Sequence, residues 1–201
     1  MPEQAHILIL AAGTSTRMRG GDKLLETIDD VPLLRIVAQR ALATGCPVTI
    51  ALPVFPHARY GALDGLDVDR LPIPGADQGM SVSLRASIQA LQHKAKRFLL
   101  LLADLPEITT EHLQLVLDAP ISAPDALVWR GATEDGAPGH PVLFDQALFA
   151  EFANIKGDNG AQSVVAAAQP AVHLVTLNGT AARRDLDTPE DWKHWRAENA
   201  K

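Results

Sequence analysis

Short continuous apolar runs that alternate with amphipathic segments constrain the fold of this chain more than any other feature. Residues 98–102 are only Phe and Leu, and a strand of this kind is typically buried on both faces of a parallel sheet. Its alternation with helical segments predicts an α/β domain with a mostly parallel sheet. The predicted strands are 6–11, 48–52, 68–73, 97–102, 126–129 and 172–177, and the predicted helices are 32–43, 80–93, 110–119, 146–152, 161–168 and 189–199.

Composition narrows the class of protein. The 201 residues fit one domain spanning 1–201, and an apolar content of 47% is a globular value. The net charge of −6 disfavours nucleic acid as a partner, whereas an anionic small ligand needs only local positive charge. No apolar run approaches the roughly 18 residues of a membrane span, and no basic leader is evident. We therefore expect no membrane partner, and the single Cys46, which excludes an internal disulfide, predicts a cytoplasmic protein.

The run from residue 8 to residue 23 carries the strongest functional signal. An apolar strand end passes into a loop of small residues that presents two cations, Arg17 and Lys23. Gly13 lets the backbone approach a ligand closely, and fixed cations above a concave set of amides suit a polyphosphate. The run matches neither a Walker A loop nor a Gly-x-Gly-x-x-Gly dinucleotide site. The alternative interpretation is an ordinary turn with two surface cations.

This run resembles the Leu-Ala-Ala-Gly-x-Ser-x-Arg-Met-Gly-x-x-Lys signature of the MobA-like nucleotidyltransferases, which move a nucleoside monophosphate from an NTP to a phosphate-bearing acceptor. The resemblance implies a three-layer, Rossmann-like nucleotidyltransferase fold and catalytic roles for Arg17 and Lys23. Residues 19–22 separate Met18 from Lys23, so the loop is longer here than in the family. The resemblance further assigns nucleotide binding to Leu10, Ala11, Ala12, Gly13, Arg17 and Lys23.

Two carboxylates are candidates for a metal site. Asp104 follows the apolar run 98–102, where an unpaired carboxylate is costly, and Mg²⁺ is commonly held by one or two carboxylates plus substrate phosphates. Asp104-Leu-Pro resembles the family's Asp-Met-Pro, and residues 185–191 resemble its closing Asp-x-Asp-Thr-Pro-Glu-Asp. The resemblance implies that Asp104 is catalytic and that Asp104 and Asp187 bind Mg²⁺. The alternatives are a cap or turn at Asp104 and a helix start at Asp187.

Residues 74–85 precede and open a predicted helix. Backbone N–H groups at a helix start, together with Ser81 and Ser83, suit the polar edges of a ring. The segment resembles the Gly-Met-Ser-Ser-Ser-Leu of the subgroup that acts on molybdopterin with CTP, with Val82 in place of the middle Ser. The resemblance implies that Gly79, Ser81 and Ser83 bind the nucleotide. The alternative is a simple helix cap by Ser81.

Two further segments resemble the acceptor-side motifs of the same subgroup, Gly-His-Pro-Val-Leu-Phe at 139–144 and Gly-Asp-x-Gly-Ala-Arg at 157–162. Gln162 stands where Arg is common, which removes one cation. The alternative interpretations are that His140 is exposed or hydrogen-bonded to the backbone, and that Lys156 is an ordinary surface lysine. The stretch 130–141, rich in Gly and charge, predicts a long functional loop. The resemblance implies that the acceptor is bound by His140, Pro141, Lys156 and Asp158.

Spacing alone indicates only an α/β phosphate binder. The resemblance covers the chain nearly end to end and implies transfer of CMP from CTP to molybdopterin, with Mg²⁺ as cofactor and pyrophosphate as product. The pair Ala11-Ala12 is typical of the cytidylyl subgroup, whereas guanylyl relatives more often carry Ala-Gly-Gly. A molybdoenzyme or its chaperone is a further candidate partner. Two alternatives remain open: a sugar or alditol phosphate as acceptor, and a non-catalytic nucleotide-binding partner of a molybdoenzyme.

Overall fold

The computed structural model describes residues 5–157 and 160–199 of the chain. Within these ranges the strands are β1 (Ala5–Leu10), β2 (Thr27–Ile28), β3 (Val31–Pro32), β4 (Val48–Leu52), β5 (Asp69–Pro72), β6 (Arg97–Leu102), β7 (Val128–Ala132), β8 (Pro138–Asp145) and β9 (Val172–Thr176). The α-helices are α1 (Leu33–Leu42), α2 (Arg59–Ala62), α3 (Met80–Leu91), α4 (Thr110–Ser122), α5 (Gln162–Ala167) and α6 (Pro189–Asn199). Short 3-10 helices occupy Thr16–Met18, Ala76–Gln78 and Gln146–Asn154.

Seven of these strands form one sheet in the order β5-β4-β1-β6-β8-β7-β9, and β2 pairs with β3 separately. The strands β5, β4, β1 and β6 run parallel. Strand β8 is antiparallel to both of its neighbours, and β7 pairs parallel with β9. The predicted α/β fold with a mostly parallel sheet is confirmed. Because β1 and β6 are adjacent and parallel, the loops that follow them leave the same edge of the sheet.

Helices cover both faces of the sheet, because successive residues of a strand point to opposite sides. On one side, Ile7 and Ile9 of β1 pack with residues of α1, α4 and α6. On the other side, Leu8 packs with residues of α3 and α5. This alternation produces the three layers that the motifs implied. None of the helices in the described ranges combines the length and the apolar character needed to cross a bilayer.

The predicted loop over residues 130–141 is wrong. Residues 128–132 and 138–145 are strands β7 and β8, which pair antiparallel with Trp129 opposite Leu143. The turn is confined to the residues between them, where the Thr133 amide donates to the Ala137 carbonyl at 2.9 Å. Gly139 serves close packing rather than flexibility, since a Cβ there would lie 2.1 Å from the carbonyl oxygen of Ala182.

The last helix illustrates how local signals set an element's bounds. Helix α6 begins at Pro189, as predicted. The Thr188 amide donates to Asp191 Oδ2 at 2.8 Å, and the Asp191 amide donates to Thr188 Oγ1 at 3.1 Å, which forms a reciprocal cap. Trp192 and Trp195 are buried and fix the helix on the core, as predicted. By contrast, the predicted helix over 146–152 is a 3-10 helix over Gln146–Asn154.

Candidate functional site

A cavity of about 470 Å³ lies beyond the carboxyl ends of β1 and β6. The register pairs Leu10 with Leu102, so the two strands end side by side. The segment from Ala11 to Lys23, called the signature loop below, forms one wall, and the residues after β6 form another. The lining residues include Leu10, Ala11, Ala12, Gly13, Arg17, Lys23, Gly79, Met80, Ser83 and Asp104. Nine of the residues predicted to bind nucleotide or metal therefore share one cavity.

Lys23 bridges two carboxylates from distant parts of the chain. Its Nζ lies 2.5 Å from Asp104 Oδ2 and 2.6 Å from Asp187 Oδ1. Arg17 Nη2 lies 2.7 Å from the other oxygen of Asp187. The four charged residues that the sequence selected are thus in direct contact, and the longer loop does not prevent Lys23 from reaching Asp104.

The carboxylates and the lysine stabilise one another's charged forms. Burial on its own would lower the pKa of Lys23, but Asp104 and Asp187 outweigh it and raise that pKa. Burial would likewise raise the pKa of Asp187, yet hydrogen bonds and charge from Lys23, with help from Arg17, hold it below its usual value. Lys23 and Asp187 are therefore both charged at neutral pH.

The carboxylates fit a divalent cation. One oxygen from each of Asp104, Asp185 and Asp187 lies within 4.8 Å of the others. Asp104 Oδ1 is buried and has no hydrogen-bond partner among the described residues, so it is free to take a ligand. Carboxylate oxygens are the donors that Mg²⁺ and Mn²⁺ prefer. Burial and the neighbouring carboxylates raise the pKa of Asp185. A bound cation would offset the repulsion between these carboxylates.

Sequence reasoning named Asp185 only as part of a motif and did not select it as a ligand. The Asp-x-Asp spacing is the signal that could have found it, because side chains two positions apart in an extended segment lie on the same side of the chain. The Leu186 amide donates to the Asp104 carbonyl at 3.1 Å and holds this segment beside β6. The Asp187 amide also donates to Asp191 Oδ2 at 3.2 Å, so a helix start and a carboxylate cluster coexist here.

The signature loop is tightly wound. The Met18 amide donates to the Ser15 carbonyl at 2.9 Å and the Gly21 amide donates to the Met18 carbonyl at 3.0 Å. Arg19 and Gly20 have φ of 52° and 98°, which accommodates the additional residues before Lys23. A Cβ on Gly13 would meet no atom of the described chain within 4 Å. The space above the loop is therefore open to a ligand.

The loop also depends on Arg59, which sequence reasoning missed. This side chain comes from α2 and forms an ion pair with Asp22, with Nε 2.7 Å from Asp22 Oδ2. No local sequence pattern predicts this ion pair, because the two residues are 37 positions apart.

The start of α3 forms the opposite wall of the cavity. Gly79, with φ of 115°, precedes the helix, and Met80 and Ser83 line the cavity. Ser81 is 2% exposed and does not reach the lining. Its amide donates to the carbonyl of Gly157 at 3.3 Å. The helix start is thereby joined to the segment that carries the predicted acceptor residues.

The residues predicted to bind the acceptor are His140, Pro141, Lys156 and Asp158. Together with the motif 157–162 they are called the acceptor side below. Burial, with the charge of Arg130, lowers the pKa of His140 to about 4, although a hydrogen bond to Leu100 and the charge of Asp104 oppose the shift. Its Nδ1 is buried and meets no partner in the part of the chain that the structure describes. The imidazole is therefore neutral at physiological pH.

The rest of the acceptor side is more open. A cis peptide bond joins His140 to Pro141. Lys156 and Gln162 are exposed to solvent. None of these four residues lines the 470 Å³ cavity, and Asp158 lies outside the described residues. Of the residues predicted to bind the acceptor, the described ones thus lie on strand β8 and beside the start of α3, outside the lining of this cavity.

Known proteins resemble this chain in sequence and in structure. Residues 7–172 match the family model of the MobA-like NTP transferase domain. Rv0371c from Mycobacterium tuberculosis H37Rv is 25% identical with a TM-score of 0.82, over 96% of this chain and 97% of that one. The structure of Rv0371c in complex with manganese is 25% identical with a TM-score of 0.77, over 95% and 97% of the two chains.

Two more distant structures share the fold. CMP:2-keto-3-deoxy-manno-octonic acid synthetase complexed with CTP is 14% identical with a TM-score of 0.75, over 98% of both chains. The 4-diphosphocytidyl-2C-methyl-D-erythritol synthase from Anaerococcus prevotii is 13% identical with a TM-score of 0.75, over 100% of both. No significant match is found among curated protein sequences. Because the family model spans most of the chain, the protein belongs to the MobA-like NTP transferase family and is a nucleotidyltransferase enzyme.

Proposed function

We propose that the protein transfers CMP from CTP to the phosphate of molybdopterin and releases pyrophosphate. The observation that carries the proposal is the contact of Lys23 with Asp104 and Asp187 at the mouth of the cavity. It gathers the cations and carboxylates that a nucleotide triphosphate and its metal require. The motifs at 79–85 and 139–144 and the pair Ala11-Ala12 favour CTP and molybdopterin. The whole chain, 1–201, acts as one domain in this proposal.

The nucleotide lies on the end of β1. Leu10, Ala11, Ala12 and Gly13 support it from below, because Ala11, Ala12 and Gly13 have little or no side chain and so leave room for close approach to the backbone. Gly79 and Ser83 contact it from the opposite wall of the cavity. Ser81 is buried under that wall, so it acts by fixing the helix start that presents these groups.

The chemical step is a displacement at the α-phosphorus. An oxygen of the acceptor phosphate forms a bond to that phosphorus, and the bond to the oxygen that bridges the α- and β-phosphates breaks. The departing pyrophosphate takes the electron pair. Arg17 and Lys23 neutralise the charge that develops on it, and orientation with charge stabilisation supplies most of the rate.

Asp104 and Asp187, with Asp185 beside them, hold Mg²⁺ in this proposal. The cation, when bound, adds positive charge next to the reacting phosphates. Lys23 then exchanges one of its carboxylate contacts for a phosphate oxygen, which its flexible side chain permits.

The acceptor is bound by His140, Pro141, Lys156 and Asp158. The neutral His140 offers its buried Nδ1 as a hydrogen-bonding atom, and Lys156 supplies a cation for the acceptor's phosphate. A molybdoenzyme or its chaperone receives the product, and the cytoplasm is the compartment in which we propose that this occurs.

One observation favours a second acceptor class. Gln162 replaces the arginine that is common in the molybdopterin subgroup, and it is exposed at the start of α5. Fewer fixed cations suit a smaller sugar or alditol phosphate, which is the alternative acceptor for the same reaction.

Pyrophosphate release from purified protein tests the proposal. Each of CTP, GTP, UTP and ATP is supplied with Mg²⁺, with and without molybdopterin. Release that needs both CTP and molybdopterin supports it. Release that occurs only with a sugar or alditol phosphate assigns the alternative acceptor, and NTP binding without any release indicates a non-catalytic protein.

A further inference from the structure

Arg59 is a buried cation that the proposed chemistry does not use. Among the described Arg, Lys, Asp and Glu residues it alone is fully buried, with 1% of its surface exposed. It begins the four-residue helix α2, which follows β4. A buried charge is costly unless it is paired and fully hydrogen-bonded, so its contacts indicate what it is for.

All of the hydrogen bonds that the Arg59 guanidinium donates go to the signature loop. Nη1 donates to the carbonyl oxygen of Ala11 at 2.6 Å, where the loop begins. Nη2 donates to Ser15 Oγ at 3.0 Å, within the loop. Nε and Nη2 donate to the two oxygens of Asp22 at 2.7 and 2.8 Å, where the loop ends. One side chain therefore joins the first, middle and last parts of the loop.

Asp22 passes this constraint to Lys23. Asp22 Oδ1 also accepts from the Leu24 amide at 3.0 Å, and its carbonyl accepts from the Leu25 amide at 2.9 Å. This turn encloses Lys23 and sets the direction in which its side chain leaves the backbone. Burial would raise the pKa of Asp22, but Arg59 holds it below its usual value, so the pair is charged at neutral pH.

Asp22 directly precedes Lys23 in the stretch 19–22, which is longer here than in the family signature. The longer loop contains non-glycine residues with positive φ, namely Ser15 at 51° and Arg19 at 52°. Such conformations cost free energy and persist where surrounding contacts hold them. Arg59 Nη2 donates to the Ser15 hydroxyl, which in turn donates to Asp22 Oδ1 at 3.3 Å, so both side chains help to hold Ser15 in this conformation.

We propose that Arg59 is a positioning residue that ties both ends of the signature loop and orients Arg17 and Lys23 for the nucleotide. The proposal rests on the function proposed for the loop. A guanidinium is required, because lysine cannot donate to both Asp22 oxygens, Ser15 and Ala11 at once. A loop held in its binding conformation loses less entropy when the ligand binds.

Arg59→Lys tests the proposal, with Arg35→Lys as the matched control. Arg35 Nη1 donates to the carbonyl oxygens of Ala62 and Asp64 at 3.0 and 2.9 Å, so it anchors the same helix without touching the loop. We expect Arg59→Lys to weaken CTP binding in titration calorimetry about tenfold and to slow turnover about 100-fold. Amide hydrogen exchange of residues 12–22 should accelerate in Arg59→Lys and stay unchanged in Arg35→Lys.

A neutral pair separates positioning from stability. The double variant Arg59→Met, Asp22→Asn leaves neither charge without its partner. Its melting temperature should therefore lie close to that of the wild type. We expect CTP binding to stay weak and loop exchange to stay fast. Wild-type CTP binding and wild-type loop exchange in the double variant would overturn the proposal. Unchanged loop exchange in Arg59→Lys would also overturn it. If the wild-type protein binds no NTP, the proposed function is refuted instead. Hydrogen exchange of the loop in Arg59→Lys then still tests whether Arg59 holds the loop.

Discussion

The signature loop and the acceptor side differ in how their polar groups are satisfied. In the loop, Arg17, Asp22 and Lys23 each meet an oppositely charged side chain. By contrast, Oδ1 of Asp104, which follows β6, and Nδ1 of His140, on the acceptor side, are buried without partners in the described ranges. A buried polar atom without a partner costs stability. The contrast supports the proposal of a nucleotide cradle that is assembled in advance and of metal and acceptor sites that their ligands complete.

Asp104→Asn gives the largest expected effect, because Asp104 pairs with Lys23 through one oxygen and leaves the other for the proposed metal. The amide retains the shape but not the charge, so we expect metal-dependent turnover to fall on the order of 1000-fold. Pyrophosphate release is measured against Mg²⁺ and Mn²⁺ concentration. Asp118→Asn, an exposed carboxylate on α4 that contacts Gln114, is the control. Unchanged metal dependence would locate the metal elsewhere.

Lys23→Ala tests the cradle alone. We expect turnover to fall about 100-fold, because one cation that faces the departing pyrophosphate is lost. Binding of Mn²⁺ without nucleotide should tighten, since Asp104 and Asp187 then lack their counter-ion. Kinetics and metal titration check the two effects, with the exposed Lys94→Ala as control. Near-normal turnover would remove Lys23 from the mechanism.

His140 makes the acceptor side sensitive to acid. Its pKa is about 4 in the folded protein and 6.5 ordinarily, so below pH 6.5 the unfolded chain binds a proton that the folded chain does not. We expect the free energy of unfolding to fall by about 1.5 kcal/mol between pH 6.5 and pH 5 from this group alone. Urea denaturation of metal-free wild type and His140→Gln measures the difference. Identical pH dependence of the two proteins contradicts the assignment.

Lys156→Ala gives the smallest expected change and is confined to the acceptor side. We expect the acceptor KM to rise about threefold, as the loss of one exposed charge contact permits. The KM of the nucleotide should stay the same. Steady-state kinetics with each substrate varied in turn separates the two, and the exposed Lys193→Ala on α6 is the control. A change in the nucleotide KM instead would assign Lys156 to the cradle.

The central part of the fold was predictable because its strands are continuous apolar runs. The bounds of β4 and β6 and those of α6 match the prediction. Strand β8 was missed because Pro138 and Pro141 are disfavoured in a central strand. Its glycine at 139 indicated a turn, whereas the reason for it is the Ala182 backbone that packs against it.

The contact of Lys23 with Asp104 was predictable in outline, since both follow strands that end at one edge of the sheet. Arg59 was not, because its contacts join residues with no local pattern between them. The same holds for Nδ1 of His140, which meets no partner among the residues described. Motifs identify the side chains expected to carry out the chemistry. Only the packed structure identifies the side chains that position those residues.

Lys23 acts as an internal counter-ion for Asp104 and Asp187. A nucleotide that attracts this ammonium leaves the carboxylates unneutralised unless a divalent cation enters with it. In the proposed function, nucleotide and cation are therefore thermodynamically linked, and each is expected to raise the other's affinity by the same factor. The protein would thereby select the metal-loaded nucleotide over the bare polyanion, a discrimination built from one lysine between two aspartates.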